Sequence, residues 1–160
     1  MEIVDNFLTN EEHNFLLDNL SGINFPWFLQ KEVAYDGDKS KCIYFTHTFF
    51  NETKNSTFFD RFIENIFVNK MNINSLIRVK GNLYPYSQIL NTHSPHADYD
   101  FKHKGAIYYL NDNDGFTILE DGTKIESVAN RMLFFDPSKK HQSTDCTNTK
   151  FRLNINFNYY

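Results

Sequence analysis

Between residues 76 and 159 the chain is a succession of short β-branched and aromatic runs separated by turn signals, and this pattern restricts its fold more than any other feature. The runs span 76–84, 105–110, 116–119, 124–128, 132–135 and 151–159. Side chains of this kind suit a pleated, half-buried surface. Asn111-Asp112-Asn113-Asp114-Gly115, Asp121-Gly122 and Asp136-Pro137 punctuate them, and such residues turn the backbone by local side-chain bonding or by tolerating unusual dihedrals. Asp121-Gly122 between two strand-like runs predicts a tight hairpin. Short strands must be layered to bury their apolar faces, which points to a β-sandwich or jelly roll.

The N-terminal half differs. Residues 2–8 read as a short opening strand, and Thr9-Asn10-Glu11-Glu12 has the form of a capping box. Phe15, Leu16, Leu17 and Leu20 give the following helix an apolar face, and Ser21-Gly22 ends it. A strand-like stretch begins around Pro26-Trp27 and runs to about Val33, followed by an Asp36-Gly37-Asp38 turn. Residues 42–50 read as a strand. Residues 56–68 carry Phe58, Phe59, Phe62, Ile63, Ile66 and Phe67 at helical spacing, with Asn55 or Ser56 as cap. Two helices followed by many strands make the class α+β.

Composition narrows the function. At 160 residues the chain can bury a real core as one domain, and its 17 Phe and 9 Tyr supply much of the apolar surface. A net charge of -4 argues against a nucleic-acid partner, which needs a basic surface. No apolar run is long enough to span a bilayer, and the opening residues lack the form of a signal peptide, so a cytoplasmic location is the expectation. Cys42 and Cys146 are far apart in sequence and read as two thiols; no paired-cysteine zinc motif is present.

The chemistry is concentrated in His96-Ala97-Asp98 and His141. Residues two apart on an extended strand face the same way, so His96 and Asp98 can serve one ion, and His141 brings a third donor from another strand. Two imidazoles and a carboxylate hold iron(II) on one face of an octahedron and leave the other positions open. A short His-x-Asp segment also arises by chance, and lone histidines are usually satisfied surface or core groups, so the order of the surrounding features decides.

That order, from Arg78 to Phe157, resembles the iron(II)- and 2-oxoglutarate-dependent oxygenases, in particular their prolyl 4-hydroxylase-like branch. The resemblance rests on Tyr84-Pro85, His96-Ala97-Asp98, Ile107-Tyr108-Tyr109-Leu110-Asn111, Gly115, Thr117, Asn130-Arg131-Met132-Leu133-Phe134-Phe135-Asp136, His141 and Arg152. It implies a double-stranded β-helix (jelly roll, cupin-like) with supporting N-terminal helices. One oxygenase domain would cover 1–160, with helices and flanking strands in 1–75 and the β-helix core in 76–160. It implies that His96, Asp98 and His141 bind Fe(2+) and form the catalytic centre. Arg152 would hold the distal carboxylate of 2-oxoglutarate, Tyr109 would offer its hydroxyl to the same carboxylate, and Tyr84 would line that pocket. A guanidinium suits this role because it is always charged and presents a bidentate fork. The implied reaction uses O2 and 2-oxoglutarate, releases succinate and carbon dioxide, and hydroxylates a substrate C–H, with a prolyl residue of a peptide first in line and a small molecule next.

The sequence departs from the family pattern at Phe116, where a second glycine is often seen, and in the short interval from Asp98 to His141, which implies reduced covering loops. The last strand, from Arg152 to Asn158, also resembles the AlkB-type nucleobase dealkylases, but Asn158 stands where those enzymes carry a second arginine. A non-catalytic jelly-roll binding module and a cupin-like metalloprotein that does not use 2-oxoglutarate are the rivals; neither requires Arg152. Among the remaining histidines, His47 and then His103 rank for a further role, His93 should face away from His96, and His13 should be exposed. Trp27, Tyr44 and His47 are candidates for the substrate rim. Asp112, Asp114, Glu120 and Asp121 are explained by turn chemistry.

Overall fold

The computed structural model describes residues 1–32 and 42–160. The expected end of a strand at Val33 and the Asp36-Gly37-Asp38 turn lie outside the described residues. The elements are β1 (Glu2–Val4), α1 (Asn10–Leu20), β2 (Phe28–Gln30), β3 (Tyr44–Asn51), β4 (Thr53–Lys54) and α2 (Asp60–Val68), the last wound as a π-helix. They continue with β5 (Leu76–Pro85), β6 (Lys104–Tyr109), β7 (Phe116–Leu119), β8 (Lys124–Glu126), β9 (Arg131–Phe135), β10 (His141–Ser143) and β11 (Phe151–Tyr159).

The large sheet has eight strands in the order β1-β9-β6-β11-β5-β3-β2, with β4 added to β3, and the small sheet runs β10-β7-β8. All pairings between these strands are antiparallel. Segment 91–98 is extended but irregular, and bridges at Thr92–Thr144 and His96–His141 add it to the edge of the small sheet. Two sheets wound in this way form a double-stranded β-helix with helices on the outside of the large sheet. The Asp121-Gly122 hairpin forms between β7 and β8 as expected, with Gly122 at φ +84, a backbone conformation that side chains disfavour.

Period-two alternation in the large sheet separates a dry face from a polar one. Leu153, Ile155 and Phe157 of β11, Val79 of β5 and Ala106 and Tyr108 of β6 pack against Leu16 and Leu20 of α1 and Phe62, Ile63 and Phe67 of α2. Full burial of each large apolar side chain contributes about 1.5–3 kcal/mol, so this layer is the main store of stability. Thr9 caps α1 through the capping box with Glu12, as its sequence implies. The second helix begins at Asp60, four residues later than expected: the Ser56 hydroxyl accepts from Phe58 N at 3.1 Å and closes a turn before the helix starts.

Two histidines depart from expectation. His13 is buried, not exposed: it lies on the same face of α1 as Leu16, and its Nδ1 is 2.6 Å from the Tyr108 hydroxyl. His47 lies on the helix side of the sheet because it sits opposite Gly81, whose neighbours on that face are Trp27 and Phe49. Its Nδ1 donates to Pro26 O (2.8 Å), its Nε2 meets the Ser56 hydroxyl (2.7 Å), and Phe25 and Phe49 pack on its ring. It therefore does not reach the substrate rim, and neither does Trp27, whose Nε1 donates to Leu20 O at 3.0 Å.

Burial lowers the pKa of both imidazoles and keeps them neutral. The unfolded chain binds these protons more readily, so their contribution is complete above about pH 6.5 and is lost as pH falls through the lowered folded values. The urea midpoint is expected to fall from about pH 7.5 to about pH 5, and less steeply in His47→Gln.

Candidate functional site

β5 and β11 place the polar face. Their register sets Asn158 opposite Arg78, Asn156 opposite Lys80, Asn154 opposite Asn82 and Arg152 opposite Tyr84. Residues opposite one another in a ladder share a face, so these side chains project between the two sheets. The cavity there is lined from the large sheet by Lys80, Asn82, Tyr84 and Arg152, and from the other side by His96, Asp98 and His141.

The backbone brings the three metal-type residues together. His96 N donates to His141 O (3.0 Å) and His141 N donates to His96 O (2.9 Å), while Asp98 N donates to Pro137 O (2.9 Å). Each of the three offers a donor atom within 4.8 Å of the others. His96 and Asp98 thus share a site as the spacing implied, although they lie on an irregular extended segment and not within a regular strand. The Nδ1 of His96 points to Ser94 O (3.3 Å) and that of His141 to Lys139 O (3.1 Å). With Nδ1–H donating to a carbonyl, each ring presents the Nε2 lone pair to an ion.

Asp98 is oriented as firmly. Arg78 Nη2 donates to Oδ1 (2.7 Å) and Asn156 Nδ2 to Oδ2 (3.2 Å). Burial raises its pKa, but Arg78, His141, Lys80 and His96 together outweigh that and hold the carboxyl at about 2. Burial lowers the pKa of His96, and His141 beside it acts in the same direction. Burial, with Arg78 close by, brings the Lys80 ammonium down to about 8. Two imidazoles and one ionised, hydrogen-bonded carboxylate fit a divalent transition metal such as iron(II).

Arg152 is fully buried and has only neutral partners. Its Nε donates to Ser127 Oγ (2.7 Å), Nη1 to Thr144 O (3.1 Å) and Nη2 to Thr117 Oγ1 (3.2 Å). It lies over the rings of Tyr84 and Tyr109, 5.4 and 5.7 Å from their centroids. Among the described residues no carboxylate forms an ion pair with it. Tyr109 stands behind the guanidinium with its hydroxyl donating to Thr117 Oγ1 at 2.7 Å, and the Tyr84 hydroxyl accepts from Ser143 at 3.4 Å. Burial raises the pKa of both phenols against the opposing influence of Arg152, so they stay protonated.

Gly115 makes room for Arg152. A Cβ there would stand 2.6 Å from Arg152 Cδ and would also meet the Asp145 carbonyl oxygen. Gly115→Ala is expected to cost about 1–3 kcal/mol through overpacking and to displace the guanidinium. The fall in thermal midpoint measures the first effect, and a crystal structure of the variant the second.

The other candidates separate from the triad. His103 Nε2 meets Asn158 Oδ1 at 2.7 Å in a buried contact. Tyr44 stacks on Tyr84 at 5.3 Å, and Lys80 donates to its hydroxyl at 3.4 Å, so it adjoins the cavity. His93 stays out of the triad, stacked on Tyr84 at 5.1 Å. Asp121 accepts from Thr123 N, the turn chemistry expected of it, whereas Asp112 and Asp114 accept from the backbone amides of Ala129 and Thr147, far along the chain, and so tie separate loops together. Cys42 and Cys146 form no disulfide. Lys80, Asn82, Asn154 and Asn156, which line the cavity, and Arg78, which holds Asp98, carried no motif in the sequence; the signal was the polar alternation at even positions of both strands.

No protein-family model matches the chain, and no curated protein matches its sequence. Solved structures do match. A Pseudomonas putida prolyl-4-hydroxylase aligns at TM-score 0.64 and 12% identity over 99% of this chain and 91% of that one. A Trichoplax adhaerens prolyl hydroxylase, solved with a hypoxia inducible factor peptide fragment, aligns at TM-score 0.66 and 15% identity over 99% and 82%. HygX from Streptomyces hygroscopicus, solved with nickel and 2-oxoglutarate, aligns at TM-score 0.64 and 11% identity over 98% and 81%. Likeness at such low identity speaks to architecture, and the chain therefore has the double-stranded β-helix fold of the 2-oxoglutarate oxygenases.

Proposed function

We propose that the chain is a single-domain iron(II)- and 2-oxoglutarate-dependent dioxygenase that hydroxylates a substrate C–H. One observation carries this reading: a three-donor set within 4.8 Å lines the same cavity as a fully buried arginine that has only neutral partners. A buried cation without a counter-charge is costly, and a dicarboxylate co-substrate would supply the missing anion. In this assignment His96, Asp98 and His141 hold the metal, Arg152 anchors the distal carboxylate, and Tyr84 walls the pocket. Tyr109 keeps Arg152 in place through Thr117 and ring contact. Iron(II), when bound, supplies the activation of dioxygen; the protein's share is to orient the reactants and exclude water. A binding module without catalysis would have no use for a complete donor set beside Arg152.

A prolyl residue in a peptide is the first substrate candidate, supported by the two prolyl hydroxylases among the similar structures, one of them solved with a peptide. A small molecule is the second. Nucleobase dealkylation is weaker, since Asn158 is spent on His103 and the net charge is -4. We place the protein in the cytoplasm, consistent with two cysteines that form no disulfide; no helix among the described residues is long and apolar enough to cross a membrane. The test is succinate release from 2-oxoglutarate in the presence of iron(II), oxygen and proline-containing peptides. Release at an unchanged rate in His96→Ala would sink the assignment.

A further inference from the structure

A second group of metal-type donors lies apart from the triad. Cys42, just before β3, His93 in the irregular segment, and Asp145, just after β10, each offer a donor atom, and these atoms lie within 4.8 Å of one another. All three line a separate cavity of about 210 Å³. Three stretches distant in sequence converge here, so no motif spacing announces the site.

The surroundings hold the donors as a metal site requires. Asp145 is only 6% exposed, and Asn91 grips both its oxygens, through N to Oδ1 (2.8 Å) and Nδ2 to Oδ2 (2.6 Å). Among the described residues it has no Lys or Arg partner, so a buried carboxylate stands without a protein cation. The His93 ring, 2% exposed, is fixed by Nδ1 against Ser143 Oγ (2.8 Å) and by stacking on Tyr84. Cys42 is half-buried, so ions can reach the site from solvent. Cys146 belongs elsewhere, its sulfur accepting from the Thr149 hydroxyl at 3.5 Å.

We propose that Cys42, His93 and Asp145 form a second divalent metal site that takes zinc through thiolate, imidazole and carboxylate, with a fourth position open to water in the cavity. Sulfur among the donors favours a borderline-soft ion such as zinc over magnesium or calcium, and binding displaces the thiol proton to solvent. The assignment does not depend on the oxygenase reading.

Cobalt(II) separates the two sites, because only this one contains sulfur. Metal-stripped full-length protein titrated with cobalt(II) is expected to develop a near-ultraviolet sulfur-to-cobalt charge-transfer band that saturates by about two equivalents, with the amplitude of about one thiolate-bound cobalt per chain. Cys42→Ser should abolish the band, while Cys146→Ser and His96→Ala should keep it. Zinc should also protect Cys42 from alkylation in the unaltered protein, read by peptide mass spectrometry. Absence of the band at excess cobalt, or its persistence in Cys42→Ser, overturns the proposal. If instead His96→Ala binds as much total metal as the parent protein and the band is intact, the oxygenase reading fails and this one stands.

Discussion

Replacing Arg152 with methionine is expected to remove 2-oxoglutarate binding while leaving the ligand-free protein at least as stable as before. The guanidinium is fully buried among Ser127 Oγ, Thr144 O and Thr117 Oγ1. Loss of one partner from a desolvated, hydrogen-bonded charge pair costs about 2–5 kcal/mol, so the apparent KM for 2-oxoglutarate should rise roughly thirty- to several-thousand-fold. The stability expectation runs the other way. A buried charge without a counter-ion is a burden, and an apolar side chain of similar length relieves it, as replacing buried ionic groups often does. Arg152→Lys keeps the charge but loses the fork, and should fall between the two. The measurement is a thermal midpoint with and without 2-oxoglutarate. The parent midpoint should climb with ligand concentration, and that of Arg152→Met should not. A normal ligand-induced climb in Arg152→Met would remove Arg152 from the co-substrate role.

Asp98→Ala is expected to abolish succinate release and also to destabilise the protein, for two separable reasons. On the proposed assignment the substitution removes a metal donor, and it strands Arg78, whose Nη2 loses its 2.7 Å contact. Arg78 keeps some contact with water, at 21% side-chain exposure, so the cost should lie near or below the ~3–5 kcal/mol of a fully buried broken pair. A second substitution, Arg78→Met, should recover much of that stability and none of the activity. Denaturant titration of the single and double variants, with succinate assayed in parallel, separates the two effects. The ion pair also sets an acid limit. With its folded pKa depressed to about 2, Asp98 contributes stability in full above the ordinary carboxyl value of about 3.9 and loses it as pH falls toward 2.

The strands from β5 onward, apart from the three-residue β10, and the turns between them were legible because period two and turn chemistry are local properties. The α1 cap was legible for the same reason. His47 and Trp27 were misplaced because the face of a strand follows from its register with a neighbour, and the pairing of His47 with Gly81 is nonlocal. His13 was read as exposed because the sequence does not reveal that Tyr108, far along the chain, waits beside it. The triad was visible through the order of its motifs, but the lining contributed by Lys80, Asn82, Asn154 and Asn156 and the support that Arg78 gives Asp98 were not. Those side chains look like an ordinary solvated strand face until the second sheet folds over them. Cys42, His93 and Asp145 had no local signature at all.

The reciprocal backbone bonds between His96 and His141, with Asp98 tied to Pro137, have a bearing on selectivity. Donors anchored to one another through the main chain are arranged when the chain folds, before any ion arrives. Little ordering is then left to be driven by the ion, and ions of similar size meet the same rigid claw. Such a claw ranks metals by their intrinsic affinities and not by shape, so manganese, cobalt and nickel should all load, and the stronger binders would displace iron wherever they abound. On the proposed assignment, which ion the protein carries becomes a property of the metal pool in which it is made.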